Sequence, residues 1–115
     1  MILVDTHVWI WWVTGSRALS PAQVAAINDA DEIGLSVMSV WELCTKVAND
    51  RLELDRPLTD WLEVALRNSR LRVLPLELEV ALESTRLPGE FHKDPADRFI
   101  VATSRLHGLQ LLTSD

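Results

Sequence analysis

The sequence of 115 residues predicts an α/β fold, a three-layer α/β/α sandwich around a central parallel sheet of about four strands. Three observations point there. Four short strand-like runs alternate with longer segments whose apolar residues recur at helical spacing. The first of those runs, Ile2–Val4, is apolar throughout, as expected of a parallel strand covered on both faces. Strands separated by helices connect through right-handed crossovers, which makes the sheet parallel.

Taken in order, Ile2–Val4 is the first strand and His7 to Val13 a short helix, apolar nearly all round and ending near Gly15. Ser20-Pro21-Ala22-Gln23 combines an N-cap, proline at the first helical position and glutamine at the third, so a helix runs from there to about Ala30. Ile33 to Val37 reads as the second strand. Ser39-Val40-Trp41-Glu42 has the form of a capping box ahead of Leu43, Cys44, Val47 and Ala48. Pro57 opens a helix carrying Leu58, Trp61, Leu62, Ala65 and Leu66 on one face. Leu71–Leu74 is the third strand, and a helix from Leu76 to about Thr85 is stopped by Pro88-Gly89. Asp94-Pro95 starts the last helix, with Phe99, Ala102, Thr103 and Leu106 on one side and Gly108 at its C-terminal cap. Leu109 to Thr113 closes the sheet as the fourth strand.

A chain of this length forms a single domain over residues 1–115, and 48% hydrophobic residues supply its core. One cysteine, Cys44, excludes an intramolecular disulfide framework and fits a reducing compartment; its apolar register predicts a buried thiol. Ile2-Leu3-Val4 is too short for a signal peptide or a membrane span, so a cytoplasmic protein with no membrane contact is expected. The net charge of −6 argues against a broadly basic nucleic-acid binder. That objection weakens if several acids are neutralised by a metal, leaving local cations such as Lys46, Lys93, Arg98 and Arg105 for a polyanion.

Function is carried by four carboxylates. In parallel α/β sheets, sites form beyond the carboxyl ends of the strands. Asp5 and Asp115 each follow a strand at that edge, and Glu42 and Asp97 are expected in the first turns of helices entered from it. Oxygen ligands in this number suit Mg2+ or Mn2+, which activate water against a phosphodiester. No Cys-His grouping, glycine-rich phosphate loop or Gly-x-Ser-x-Gly elbow competes, and the three histidines lack the His-x-x-x-His spacing of a zinc site. Each acid also has a structural explanation. Asp5 and Asp94 suit N-caps, Asp94 could pair with Arg98, Glu42 could complete the Ser39 capping box and pair with Lys46 four residues on, and Asp97 could complement a helix dipole. Capping alone does not explain why all four converge on one sheet edge.

The segments Val4-Asp5-Thr6-His7-Val8-Trp9, Ser39-Val40-Trp41-Glu42-Leu43 with Lys46, Asp94-Pro95-Ala96-Asp97-Arg98 through Ala102-Thr103, and Leu112-Thr113-Ser114-Asp115 resemble PIN-domain toxins of the VapC type. The resemblance runs the length of the chain, in the family's order. It implies a PIN-like sandwich and a Mg2+- or Mn2+-dependent ribonuclease, a homodimer held inactive by a VapB-type antitoxin. By the resemblance Asp5, Glu42 and Asp97 match the metal-binding acids and Asp115 the more variable fourth, while Asp94 supports Asp97 and Arg98. Thr6, His7, Lys46 and Arg98 are the accompanying supporting or substrate-binding positions. Members of that family continue past the last motif with a short segment completing the sheet edge, whereas this sequence ends at Asp115.

Five tryptophans and no tyrosine are an unusual balance. Trp9, Trp11 and Trp12 share one short helix and cannot all face the core; packing in the core or a dimer is the expectation, ahead of antitoxin contact and RNA stacking. Trp41 and Trp61 are expected in the core. His7 is either a phosphate contact or a polar group at a helix start, His92 is placed near the cleft by its loop, and His107 is explained by the helix C-terminus. Two other functions compete. Phosphoryl transfer through an aspartyl phosphate at Asp5 wants an acid two residues on, where His7 stands. A non-catalytic PIN-like protein-binding module would use the acids only as caps, and metal binding separates it from a nuclease.

Overall fold

A computed structural model describes residues 1–88 and 94–114. Its sheet has four parallel strands, β1 (Ile2–Val4), β2 (Ile33–Ser36), β3 (Leu71–Leu74) and β4 (Gln110–Leu112), in the order β3-β2-β1-β4. Six helices connect them among the described residues: α1 (Thr6–Thr14), α2 (Pro21–Asp29), α3 (Val37–Ala48), α4 (Leu58–Ala65), α5 (Leu78–Ser84) and α6 (Pro95–His107). Every residue of β1 and β2 is buried, which requires cover on both sheet faces and gives the three layers expected. The edge strands β3 and β4 are only partly buried.

Strand order determines where a site can form. From β1 the chain steps outward to β2 and β3, then returns across the sheet to lay β4 on the other side of β1. The switch in direction opens a crevice at the carboxyl ends of β1 and β4. Asp5 lies in that crevice by sequence alone, directly after Val4, with its N–H donating to Leu112 O at 3.0 Å.

The core is built around Trp9, fully buried, whose ring meets Trp61 edge-on at 5.5 Å between centroids. Ile33, Leu35, Leu43 and Ala65 complete the cluster. Caps close the helices as the sequence predicts. Ser20 Oγ accepts from Gln23 N while Gln23 Oε1 accepts from Ser20 N, and Gly15 and Gly108 end α1 and α6 in the left-handed conformation. Arg70 does what no cap signal announced: its Nη1 donates to the carbonyls of Ile27 and Ala30, both at 2.9 Å, satisfying the C-terminus of α2.

Several expectations are corrected. The cap of α3 is Ser36, whose Oγ accepts from Met38 N, so β2 stops at Ser36 and the helix starts three residues before the Ser39 box. Two serines at this spacing offer two caps, and the buried apolar β2 extends only as far as the first. Ser39 therefore sits inside the helix, fully buried. Glu42 consequently lies in the second turn of α3, not the first. Trp41 is 48% exposed rather than in the core, because Ser39, Glu42 and Leu43 take the inner face of the helix. Cys44 is half-buried.

Trp61→Ala should lower the unfolding free energy by about 3–5 kcal/mol, since it removes the partner of Trp9 at the centre of the core. Urea denaturation measures this, and a loss below about 1 kcal/mol would contradict the packing described.

Candidate active site

Asp5 is held on two sides. Its Oδ1 accepts from Val8 N at 2.9 Å, capping α1, and its Oδ2 accepts from Ser114 N at 2.9 Å and Ser114 Oγ at 3.3 Å. The carboxylate thus joins the start of α1 to the segment leaving β4. Gln23, already half of the α2 capping box, uses its amide nitrogen to donate to Thr113 O at 2.9 Å, fixing the same segment from the other side. Oδ1, which accepts a single bond, retains a second lone pair for a ligand.

Thr6, next in the chain, is buried and donates through Oγ1 to Ser39 Oγ at 2.9 Å. This bond locks α1 against α3 and sets the spacing between Asp5 and the α3 residue that follows Ser39 on the inner face, Glu42. Glu42 is 8% exposed, and its Oε2 stands 3.6 Å from Lys46 Nζ, one helical turn on. Its Oε1 is buried with no hydrogen-bond partner among the described residues. An unpartnered buried carboxylate oxygen is costly unless something is meant to meet it.

α6 presents the other two acids. Asp94 is its N-cap, with Oδ1 accepting from Ala96 N at 2.9 Å, and Asp97 is in the first turn. Arg98 does not pair with Asp94. Its Nη2 donates to Ser84 O at 3.1 Å, the last residue of α5, so it ties α6 to α5 and points away from the acids. His7 is exposed at the mouth, its ring tilted against Trp11 at 6.0 Å between centroids. His107 ends α6 and pairs with Glu77 at 2.9 Å, far from this chemistry.

These residues line one cleft of about 360 Å³, at the lower end of the size range of ligand pockets. Asp5, Thr6, His7, Glu42, Lys46, Asp94 and Asp97 all contribute to its wall; among the described residues Arg98 does not. Asp115 and His92, also singled out in the sequence, lie outside the described residues. Ser114 and Thr113 also line the cleft. Neither was assigned a role from sequence, although both directly follow β4 at the edge where sites form. Among the described residues no group of three His, Cys, Asp or Glu side chains is already arranged to hold a metal ion. The donor set itself is oxygen-rich and anionic, of the kind hard divalent cations choose, and Glu42 Oε1 has no donor among the described residues.

Residues 2–115 match the model of the PIN domain. Ribonuclease VapC22 of Mycobacterium tuberculosis is 36% identical over 114 residues, 99% of this chain and 86% of that protein. The chain belongs to the PIN-domain family. Within it the kinship is to the VapC type, the relationship that the Asp5, Glu42 and Asp94–Arg98 motifs suggest. Among solved structures, FitAcB from Neisseria gonorrhoeae superposes with a TM-score of 0.67 at 27% identity, covering all of this chain and 88% of that one. A toxin–antitoxin complex from Klebsiella pneumoniae superposes at 0.65 with 20% identity, covering 96% of this chain and 83% of that one, and shares its fold.

Asp5→Ala should lower stability by about 1–2 kcal/mol through loss of the α1 cap. Asp5→Asn should recover most of that loss, because an amide oxygen still accepts from Val8, while the Ser114 amide, deprived of its acceptor, exchanges faster with solvent. Urea denaturation and amide hydrogen exchange read the two effects. Equal stability of all three chains would contradict the double anchoring.

Proposed function

We propose that this protein is a metal-dependent endoribonuclease, the toxin of a toxin–antitoxin pair, working in the cytoplasm as a single PIN-like domain. The observation that carries the reading is Glu42. Capping accounts for Asp5 and Asp94, yet Glu42 caps nothing, lies buried in the second turn of α3 with one carboxylate oxygen unpartnered among the described residues, and lines a cleft that holds three more carboxylates. The kinship with a VapC ribonuclease supports the same activity.

In this reading Asp5, Glu42 and Asp97 hold Mg2+ or Mn2+, with Asp115, the residue after Ser114, as a fourth acid. A bound divalent ion of this kind supplies water activation and neutralises charge building on a phosphodiester. The remaining residues place and balance those acids. Ser114 and the α1 amide hold the Asp5 carboxylate in one orientation. The Thr6–Ser39 bond fixes the approach of α1 to α3, and hence of Asp5 to Glu42. Asp94 closes the first turn of α6, and Arg98 anchors that helix to α5, so Asp97 enters the cleft from a fixed backbone. Lys46 balances Glu42 and brings an ammonium to the wall where a phosphate would lie. Exposed His7 at the mouth donates to a phosphate oxygen.

RNA is the substrate because the chemistry suits a phosphodiester and the VapC relative is named a ribonuclease. A VapB-type antitoxin is the partner, a proposal supported by structural neighbours solved as toxin–antitoxin complexes. The active species is a homodimer.

Asp97→Asn and Glu42→Gln should each reduce Mn2+-dependent cleavage of single-stranded RNA by more than about 100-fold, beyond the roughly 10–100-fold lost when only the groups that orient metal ligands are removed. Asp97→Asn should leave the fold as stable or slightly more so, since it relieves repulsion among carboxylates. The assay is gel-resolved cleavage with and without chelator, beside thermal unfolding. Full activity in either variant would overturn the assignment.

A further inference from the structure

Beyond Glu42 and Lys46, a second hollow of about 160 Å³ adjoins the cleft. It shares Glu42, Lys46 and Asp94 with the acid site, and its own wall is Trp41, Thr45, Asn49 and Arg51. Helical spacing explains the arrangement. Trp41, Thr45 and Asn49 stand four residues apart on one ridge of α3, next to the ridge of Glu42 and Lys46.

Two features of this hollow stand side by side next to the acid cleft. Trp41 leaves 48% of its area in water, although Trp9 and Trp61 are buried at 0% and 4%. Arg51, like Arg17 and Arg86, has no side-chain partner among the described residues, whereas Arg56, Arg67, Arg72 and Arg105 pair with acids, and Arg70 and Arg98 bind carbonyls. Its backbone is nevertheless fixed, for Arg51 N donates to Lys46 O at 2.8 Å where Asp50 turns the chain through positive φ. A half-exposed indole, an uncommitted guanidinium and an amide side chain are thus set beside a phosphodiester site. An aromatic face stacks a base of any sequence, and a guanidinium takes the adjoining phosphate. The hollow is well under the roughly 300 Å³ of a small-molecule pocket, which suits one planar ring open to solvent rather than an enclosed ligand.

We propose that Trp41 is the stacking platform for the nucleobase next to the phosphodiester held at the acid cluster, with Arg51 binding the neighbouring phosphate. This rests on the ribonuclease reading and adds to it a base-binding subsite on α3.

The test uses the Asp97→Asn chain, which on that reading holds RNA without cutting it. Binding is measured by anisotropy with a labelled, mixed-sequence, single-stranded oligoribonucleotide and with the same strand made abasic throughout. Trp41→Ala in this background should weaken the base-bearing strand about ten-fold and leave the abasic strand within about two-fold, and Trp41→Phe should recover most of the loss. Arg51→Ala should weaken both strands alike and reduce the salt slope by about one. The proposal is overturned if Trp41→Ala affects neither strand or both equally. It is also overturned if sedimentation shows that Trp41→Ala dissociates a dimer while affinity per chain is unchanged, since the indole then seats a second copy. The ribonuclease reading is judged apart, by divalent-dependent cleavage in the unsubstituted chain. No cleavage there ends both readings, whereas cleavage with an unchanged KM in Trp41→Ala ends only this one.

Discussion

The Asp5 carboxylate is the constraint on which the rest of the cleft depends. It ends β1, caps α1 and receives the N–H and hydroxyl of Ser114, so one side chain fastens the central strand, the first helix and the segment beyond the edge strand. Charge-assisted bonds of this kind are stronger than neutral ones and fix direction as well as distance. Because β1 lies between β2 and β4, a displacement of Asp5 would be felt on both sides of the switch point. The buried Thr6–Ser39 bond extends the same control to α3, and with it to Glu42.

The arrangement concentrates negative charge in one cleft. Lys46 is the one side-chain cation paired with an acid of the cleft among the described residues, and Arg98 is turned to a carbonyl on α5. Four carboxylates so placed repel one another, a cost that a hard cation would remove. Stability and function therefore pull in different directions: the caps made by Asp5 and Asp94 stabilise the helices they start, whereas the buried Oε1 of Glu42 accepts no hydrogen bond among the described residues. Such local conflicts are expected where a site is built for a ligand.

The fold was legible because its signals are local. Ser20-Pro21-x-Gln23 predicts its capping box, Gly15 and Gly108 end their helices, and uniformly apolar Ile2–Val4 can only be a strand covered on both sides. What was not legible depends on competition between equals. Ser36 and Ser39 are both acceptable caps, and only the end of β2 decides between them. That three-residue difference places Glu42 in the second turn and sends Trp41 outward. Similarly, Arg98 chose the Ser84 carbonyl over Asp94, a tertiary contact that no helical spacing reveals. The capping acids Asp5 and Asp94 could be read from sequence because they sit at element ends. The bond from Ser114 to Asp5 could not, since it joins positions 109 residues apart.

The metal site requires a divalent ion to meet Glu42, whose Oε1 has no partner among the described residues. Crystals grown with Mn2+ and measured at a wavelength where manganese scatters anomalously would test this directly. The account predicts an anomalous peak in the cleft within bonding distance of a Glu42 carboxylate oxygen and of Asp5 and Asp97. A cleft without such a peak at saturating Mn2+, or a peak that leaves Glu42 untouched, would contradict it.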